Sequence, residues 1–533
     1  MKTILILGGG LMQLPAIRIA KMKGWHVIVA DGNPEAIARG RADQFERVDL
    51  KDREGLVAVA RRCAESTPLG GVFTAGTDFS SSVAWVAEKM GLPGIPYAIA
   101  MRATDKSLMR EAFSQAGVPS PRFACWTGES EPASVLQNGL VFPLVVKPVD
   151  NMGSRGVKRV EDESALAVAC HAALRLSRSS RVIVEQFMEG RELSLDAVVY
   201  RGKVTVCGVA DRHIFFPPSF VEMGHTMPTD LDRESIHRAE DVFTAGIRAI
   251  GIDNGAAKGD IKMTPGGPMI GEIAARLSGG YMSGWTFPLS SGVEVTEAAL
   301  NIAMGNAPGD LAPLYHRTCV ERAFISIPGI VSQIWGVEEA KKTRGVVEVF
   351  CRVQPGATVA FPTNNVEKCG NIIAVADARG EAVEAAERGI GAIGIRLRPL
   401  ENATTQFLFH ETSHGAYEAA GPDLMSAIEA MPPFQGNPPR AAIGGTILVE
   451  PLARFDSQET RDWHGWPLTA AARLALLHGG GKMEAGIPGG NFVLSGLFWR
   501  AIVRGSAQGG TYLLDSVRSA AGQGRLSEFL AGL

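Results

Sequence analysis

Two carboxylates, a cluster of lysines and one arginine are the residues of this chain whose types and spacing could do chemistry. In GDIKMTPGGPMIGEIAAR, residues 259–276, Asp260 and Glu272 each lie six residues from Gly266. A hairpin centred on that glycine sets them directly opposite each other, although a slip of one residue would separate them. Opposed carboxylates, with Cβ atoms roughly 5 Å apart, repel and weaken a sheet. A divalent cation between them reverses the sign, and hard oxygen ligands of this kind suit Mg²⁺ that also holds substrate phosphates. The competing reading is a solvated hairpin on which Lys258 and Lys262 neutralise the pair. The pairing puts Lys258, Asp260, Lys262, Glu272 and Arg276 on one face and Ile261, Met263 and Ile273 on the other. One face is core and the other is available to a ligand.

Further upstream, DNMGSRGVKRV carries Gly153, Ser154 and Gly156 in a loop whose N–H groups form the kind of nest that holds phosphate oxygens. Lys147 sits in the strand LVVKP, an awkward place for a charge unless it faces an anion. Lys106 opens a helix, where a cation gains nothing from the dipole. In EQFMEGRELSLD, Glu185 ends an apolar strand, Phe187 and Met188 offer either core or a surface for a flat base, and Glu192 is placed to accept from sugar hydroxyls. Arg212, His213 and His225 are weaker candidates on the acceptor side.

The order Lys106, Lys147, glycine loop, EQFM, Glu192, Asp260, Glu272, Arg276 resembles the ATP-grasp superfamily. The resemblance covers about residues 1–400, rests on TDK, VVKPVDNMGSRGV, EQFMEGREL and GEIAARLSGG, and extends to L-amino-acid ligases and carbamoyl-phosphate-synthase-like members. It implies that Lys106 and Lys147 contact ATP phosphates under a loop from Gly153 to Gly156. Glu185 and the backbone of Gln186, Phe187 and Met188 are implied at the adenine, and Glu192 at the ribose. Asp260 and Glu272 are implied to carry Mg²⁺, or Mn²⁺ in its place, and Arg276 to steady an acyl phosphate. Arg276, Lys147 and Glu272 are the implied catalytic residues. One departure is Ala274, where many members have Asn, which puts a second metal in doubt. The implied activity is an ADP-forming carboxylate-amine ligase acting through an acyl phosphate. The alternatives are a biotin-carboxylase or carbamoyl-phosphate type of enzyme, or a degenerate ATP-binding sensor or assembly protein. The partners implied are small carboxylates and amines, and a homodimer is kept open.

The elements that must position these residues follow from periodicity. Residues 1–104 alternate strand and helix patterns, from TILILGGG to SSVAWVAEKMG, and read as a parallel α/β sheet. Under the resemblance this is the domain that precedes the ATP-grasp; residues 105–205 form its smaller lid subdomain and 206–318 the larger one with the metal site. Residues 319–408 resemble the C-terminal domain of L-amino-acid ligases, and 409–533 are an extra α/β segment of unassigned role. The fold class expected is multidomain α/β and α+β. GGGLMQ lacks the third glycine of a dinucleotide fingerprint, so the first turn is read as a tight strand-to-helix connection.

At 533 residues the chain is too long for one core, and its net charge of −3, with Lys and Arg spread along it, gives no basic patch for nucleic acid or an anionic membrane. Seven cysteines, an odd number without CxxC spacing, argue for reduced thiols in a cytoplasm rather than a disulfide framework or a zinc ribbon. The apolar run of MKTILILGGG is too short for a secretory leader, and no stretch approaches the roughly 18 apolar residues of a membrane span. HETSH, residues 410–414, matches the zinc-protease pattern, but Gly415 follows at once and TTQFLF before it reads as strand. A chance match is the expectation.

Overall fold

Five apolar or β-branched residues, TILIL, form β1 (Thr3–Leu7), and all five are buried, as in a strand covered on both faces. The computed structural model describes residues 2–410, 422–436, 446–452, 466–484 and 492–533. After β1 come α1 (Leu14–Met22), β2 (His26–Asp31), β3 (Gln44–Arg47), α2 (Arg53–Ser66), β4 (Leu69–Phe73) and α3 (Ser80–Lys89). The strands pair in parallel in the order β3-β2-β1-β4. The strand not foreseen is β3, whose four residues QFER are too short and too polar to show a pattern.

Two helices lead from this sheet to the next, α4 (Tyr97–Thr104) and α5 (Lys106–Gln115). Asp105 accepts the N–H groups of Ser107 (2.9 Å) and Leu108 (3.3 Å), so it caps α5 and fixes Lys106 as the first helical residue. Then come β5 (Phe123–Trp126), β6 (Leu144–Pro148), β7 (Lys158–Val160), α6 (Glu163–Leu176) and β8 (Val182–Gln186). They make a small antiparallel sheet, β5-β8-β6-β7, packed on α6 around Leu144, Val146, Leu166, Cys170 and Val184.

The larger sheet is built from β9 (Arg191–Tyr200), β10 (Lys203–Phe215), β11 (Val221–Met227), then α7 (Arg233–Ile250), β12 (Gly255–Thr264) and β13 (Gly267–Ala274). The helices α8 (Phe287–Ser291) and α9 (Val295–Ala303) precede β14 (Thr318–Phe324). The order runs β13-β12-β9-β10-β11-β14 and continues into the strands Gly370–Ala376 and Val346–Cys351. β9 and β10 turn at Arg201 and Gly202, with φ of 51° and 75°, as a two-residue hairpin requires. Residue 205, the expected end of the second segment, therefore lies inside this hairpin, while the small sheet ends with β8.

Alternation along β9 and β12 gives the sheet two faces. Leu193, Leu195, Ala197, Val199, Ala257 and Ile261 pack with α5 and α7 in one core. Glu192, Ser194 and Asp196 on β9 stand beside Lys262, Asp260 and Lys258 on β12 across the other face. At one end that face turns apolar, where Val198 and Ala256 join a core with Ile4, Ile6 and Phe73 from the parallel sheet. Polar and apolar stretches thus share one surface.

Contacts divide the chain into two units, Met1–Arg322 with Arg344–Glu348 and Ile373–Glu387, and Ala323–Thr343 with Val349–Ile372 and Arg388–Leu533. In the second unit the strands Thr358–Val359, Gly329–Trp335 and Gly394–Leu397 form an antiparallel sheet. The Arg396 guanidinium grips both oxygens of Asp515 at 2.7 and 2.6 Å, and the Tyr512 hydroxyl donates to Glu401 O at 2.7 Å. These contacts join the long helix Gly496–Gly522 to the rest of the unit. The stretch TTQFLF is helical rather than extended, through Asn402–Thr405 and Gln406–His410. Phe407, Leu408 and Phe409 are all buried, and a short apolar run of that kind does not distinguish strand from buried helix. Among the described residues no helix is long and apolar enough to cross a membrane. All seven cysteines are free, with Cys63, Cys170, Cys319 and Cys369 buried.

Asp105 also pairs with Arg181, so Asp105→Ala removes a helix cap and an ion-pair partner together. We expect it to lower stability by roughly 1–2 kcal/mol, read as a shift in the denaturant midpoint at unchanged slope. A change within about 0.3 kcal/mol would contradict the capping assignment.

Candidate active site

The hairpin β12–β13 turns tightly, with Thr264 opposite Gly267. Its centre is therefore between Pro265 and Gly266 rather than on Gly266. Asp260 nevertheless opposes Glu272, because the register shifts by one between Asp260 and Ile261, which faces Ile270. Gly271 is the extra residue of this bulge. Its carbonyl accepts from Arg110 Nη2 at 2.6 Å, and a Cβ there would lie 3.3 Å from Asp260 O.

Cations surround the opposed pair. Asp260 pairs with Lys258 and lies 3.5 Å from Arg212 Nη1, while Glu272 lies 3.3 Å from Lys106 Nζ. Burial pushes the Glu272 carboxyl up, but Lys106, Lys147, Lys258 and Arg276 outweigh it and hold it at about 2. The carboxylate is ionised throughout the neutral range. Two carboxylates at opposed cross-strand positions fit a hard divalent cation, with phosphates and water as the remaining ligands. No third protein ligand is at hand: Ala274 has no oxygen in its side chain, and among the described residues no group of three or more His, Cys, Asp or Glu is placed to hold a metal.

Lys106 and Lys147 come from different elements. The α5 cap places Lys106, whose Nζ also donates to Asn151 O at 2.8 Å, at the start of the glycine loop. Lys147 on β6 reaches Glu185 Oε2 on β8 at 2.7 Å, and Arg110 Nε reaches Glu185 Oε1 at 2.9 Å. Both Glu185 oxygens are thereby committed. Its carboxylate positions Lys147 and Arg110. Burial, reinforced by the cations Arg110 and Lys106, pulls the Lys147 ammonium below its usual range against the opposing pull of Glu185. In the loop Gly153, Ser154 and Gly156 have φ of 67°, 61° and 77°, and a non-glycine residue in that region costs on the order of 1 kcal/mol. The strain is stored where the sequence suggested a phosphate nest.

Glu192 lies at the other end of the polar face, between Lys262 Nζ (2.9 Å) and Arg212 Nη1 (3.2 Å). The Phe187 ring has Arg159 at 4.4 Å and Lys262 at 4.8 Å from its centroid. Gln186 donates its N–H to Arg122 O, and Phe187 donates its own to Pro143 O. Of the three residues, Met188 keeps an N–H without a protein acceptor among the described residues.

Past β13, Arg276 Nε donates to Thr77 O at 2.7 Å and Nη1 to Leu277 O at 2.9 Å, tying the site to the loop after β4. The turn Ser278–Gly280 is held by Asp196, which accepts the Ser278 N–H at 2.9 Å and hydroxyl at 2.5 Å. Burial raises the Asp196 carboxyl to about 6 against these hydrogen bonds. Gly280 has φ of 60°, and a Cβ there would lie 2.8 Å from Glu222 Oε1 and 3.0 Å from His225 Cε1. His225 Nδ1 is 3.2 Å from Glu321 Oε2, and Arg212 Nε is 2.9 Å from Glu222 Oε2. The structure therefore gathers Arg212 and His225 at the site. His213, one residue along β10, faces the other way to Thr226 Oγ1 at 2.9 Å, and burial with Arg322 pulls its imidazole down to about 3. Arg110, Asp196, Glu222 and Glu321 were not foreseen. The signal available for Arg110 was a charge among the inward positions Met109, Ala112 and Phe113 of an amphipathic helix. His410, the first residue of HETSH, bonds Gly532 O at 2.9 Å, and the other four lie outside the described residues.

Parts of the chain match known families. Residues 140–284 match the ATP-grasp domain family, and residues 323–398 match the family described as L-amino acid ligase C-terminal domain 2. The chain is 28% identical over 392 residues to the uncharacterized protein y4rH of Sinorhizobium fredii, covering 72% of this chain and 80% of that one. It is 26% identical over 333 residues to carnosine synthase 1 of Homo sapiens, covering 58% of this chain but only 40% of that longer protein. The structure of the L-amino acid ligase from Bacillus licheniformis superposes with a TM-score of 0.64 over 75% of this chain and 99% of that one, at 23% identity. That likeness establishes the fold.

Two outcomes are expected from this geometry. Glu185→Ala leaves Arg110 and Lys147 buried without their anion and should cost roughly 3–5 kcal/mol in chemical unfolding. For Asp196 the folded pKa lies above the unfolded one, so its contribution is full at low pH and is lost as pH rises through about 6. Thermal melts of wild type and Asp196→Asn should thus diverge in favour of wild type as pH falls from neutral; a gap independent of pH would contradict the assignment.

Proposed function

Proceeding from the chain's place among the ATP-grasp ligases, we propose that it is an ADP-forming ligase that joins a small carboxylate to an amine through an acyl phosphate. The observation that carries this reading is the Asp260–Glu272 pair, ringed by Lys106, Lys147, Lys258 and Arg276 on one face. A polyanion that arrives with its own divalent cation can be shared among these groups. A lone binding module has no need of opposed carboxylates.

In this reading Lys106 and Lys147 hold the ATP phosphates, with Glu185 and Arg110 keeping Lys147 in place. The Gly153–Gly156 loop covers the phosphates with its N–H groups. Phe187 and Met188 take the adenine, Met188 through its free N–H, and Glu192 takes the ribose. Asp260 and Glu272 would hold Mg²⁺, which neutralises phosphate charge and orients the γ-phosphoryl when bound. Arg276, fixed by Thr77 O and Leu277 O, presents its remaining N–H groups to the acyl phosphate. Gly279 and Gly280 bring backbone N–H groups to the substrate carboxylate, on a turn whose Ser278 is held by Asp196. Glu222 and His225 border the space beside Gly280, where their acceptor atoms suit an ammonium group of an incoming or activated substrate. The catalytic contribution is positioning and charge neutralisation, with no covalent enzyme nucleophile.

We also propose the division at residues 104, 205, 318 and 408 as a guide to these roles, with the second boundary moved to the end of β8. The seven free cysteines support a cytoplasmic setting. Ala274 favours a second reading, a nucleotide sensor with impaired metal binding.

Purified protein with MgATP should release ADP only when a suitable acid and amine are both supplied from a panel of amino acids and small carboxylates. Glu272→Gln should lower that rate by at least about a hundredfold while ATP still binds. Undiminished turnover in the variant would contradict the mechanism. ATP binding with no ADP from a broad panel would favour the sensor.

A further inference from the structure

The loop after β4, residues 74–79, packs against the turn that follows β13. Ala75 and Leu277 form a parallel bridge, and Gly76 donates its N–H to Leu277 O at 3.3 Å. Gly76 has φ of 63°, and a Cβ there would lie 3.1 Å from Gly279 Cα, an approach of two backbones that needs a glycine on each side. The loop is braced on its own sheet as well. The Thr74 hydroxyl donates to Leu7 O at 2.7 Å, and Gln13 Nε2 donates to Ala75 O at 2.5 Å. Thr77, whose carbonyl holds Arg276, lies on this braced segment.

The next residue, Asp78, reaches to the glycine loop instead. Its Oδ2 lies 2.5 Å from Arg178 Nη2 and 3.6 Å from Arg155 Nη2. Both arginines are rooted in that loop. Arg155 stands between Ser154 and Gly156 and donates its Nε to Met152 O at 3.0 Å. Arg178 follows α6, and its N–H donates to Asp150 Oδ1 at 3.1 Å while Ser179 N–H donates to Oδ2 at 2.7 Å. Asp150 is the residue from which the loop departs. One carboxylate therefore holds the loop both within its span and at its start.

The side chain of Asp78 is 17% exposed, against 41% and 44% for Arg155 and Arg178, so the anion is the better fixed member of the set. A single exposed ion pair adds little to stability. These two, however, join elements that no strand pairing connects, the parallel sheet β3-β2-β1-β4 and the small sheet β5-β8-β6-β7. Their effect falls on where the loop sits more than on whether the sheets form. The loop also holds Gly153, Ser154 and Gly156 at positive φ, a conformation that persists when surrounding contacts over-determine it.

We propose that Asp78 is a positioning residue of the phosphate site. Through Arg155 and Arg178 it sets the glycine loop over the nucleotide phosphates, while Thr77 in the same segment sets Arg276. The cover of the phosphoryl donor and the arginine that meets the acyl phosphate are then located by one loop. The nucleotide and acyl phosphate rest on the ligase reading, whereas the clamp rests on geometry alone.

Hydrogen exchange over residues 150–160 of the full chain, without nucleotide, tests the clamp. Asp78→Asn keeps the shape of the side chain and removes its charge, and should speed exchange in this loop at least about threefold. Asp78→Glu should restore the slower rate. Binding of a non-hydrolysable ATP analogue with Mg²⁺ should weaken about three- to tenfold in Asp78→Asn and stay within about twofold of wild type in Asp78→Glu. Adding Arg178→Gln to Asp78→Asn should cost less than the sum of the two single changes, because both remove the same pair. Arg178→Gln alone carries the expectation of faster exchange if Asp78→Asn does not fold. The proposal is overturned by unchanged loop exchange, by unchanged affinity for the analogue, or by full additivity of the two variants. Failure of the ligase reading looks different: the exchange and affinity differences persist, but no acid and amine yield ADP. A wild-type chain that binds no nucleotide overturns both.

Discussion

Asp260 and Glu272 face each other across the β12–β13 ladder, and two carboxylates in that position work against the pairing that holds them there. Much of the first unit can be understood as the answer to this repulsion. Lys258 answers it on the same strand, Lys106 from the first residue of α5, and Arg212 from β10. Two of these cations have a further structural reason for their place: a capped helix start for Lys106, and for Arg212 the additional carboxylates Glu192 and Glu222. The resulting balance of charge is local and dense. It is suited to exchange some of these pairs for phosphate oxygens and a divalent cation.

The second layer of this arrangement keeps the charges in position while they are buried. Glu185 is the anion on which Arg110 and Lys147 both depend, and Arg110 extends to Gly271 O at the bulge. A cation on the apolar side of α5 therefore supports the backbone that aligns Glu272. Asp196 does the same for the Ser278 turn. The parallel sheet contributes Thr77 O, which restrains Arg276. Reactive and supporting groups thus come from three sheets of one unit, and disturbing any of them reaches the hairpin.

How much of this was legible in the sequence follows from the range of each interaction. The hairpin was legible because strand alternation and a Pro-Gly turn are local, and the opposition of Asp260 and Glu272 emerged even though Gly271 adds a bulge that symmetry about Gly266 does not describe. Lys106, Lys147 and the glycine loop were legible from their order. Arg110, Glu222 and Glu321 were not, since a buried charge within an apolar pattern acquires meaning only from a distant partner. The ion pairs of Glu185 were hidden for the same reason: nothing near it in sequence reveals Arg110 and Lys147 as its partners. His213 and His225 differ by strand parity, which needed the register of β10 and β11. TTQFLF, with apolar residues in succession, has no period to separate helix from strand.

In the proposed reaction this face transfers the γ-phosphoryl of ATP to a carboxylate oxygen. Once an acid substrate is identified, the direct measurement is to label its carboxylate with heavy oxygen and find where the label goes after one turnover. The account predicts that one labelled oxygen appears in inorganic phosphate, with ADP as the nucleotide product, because attack of the amine expels the phosphate that took it. Label in AMP, or phosphate free of label, would contradict it.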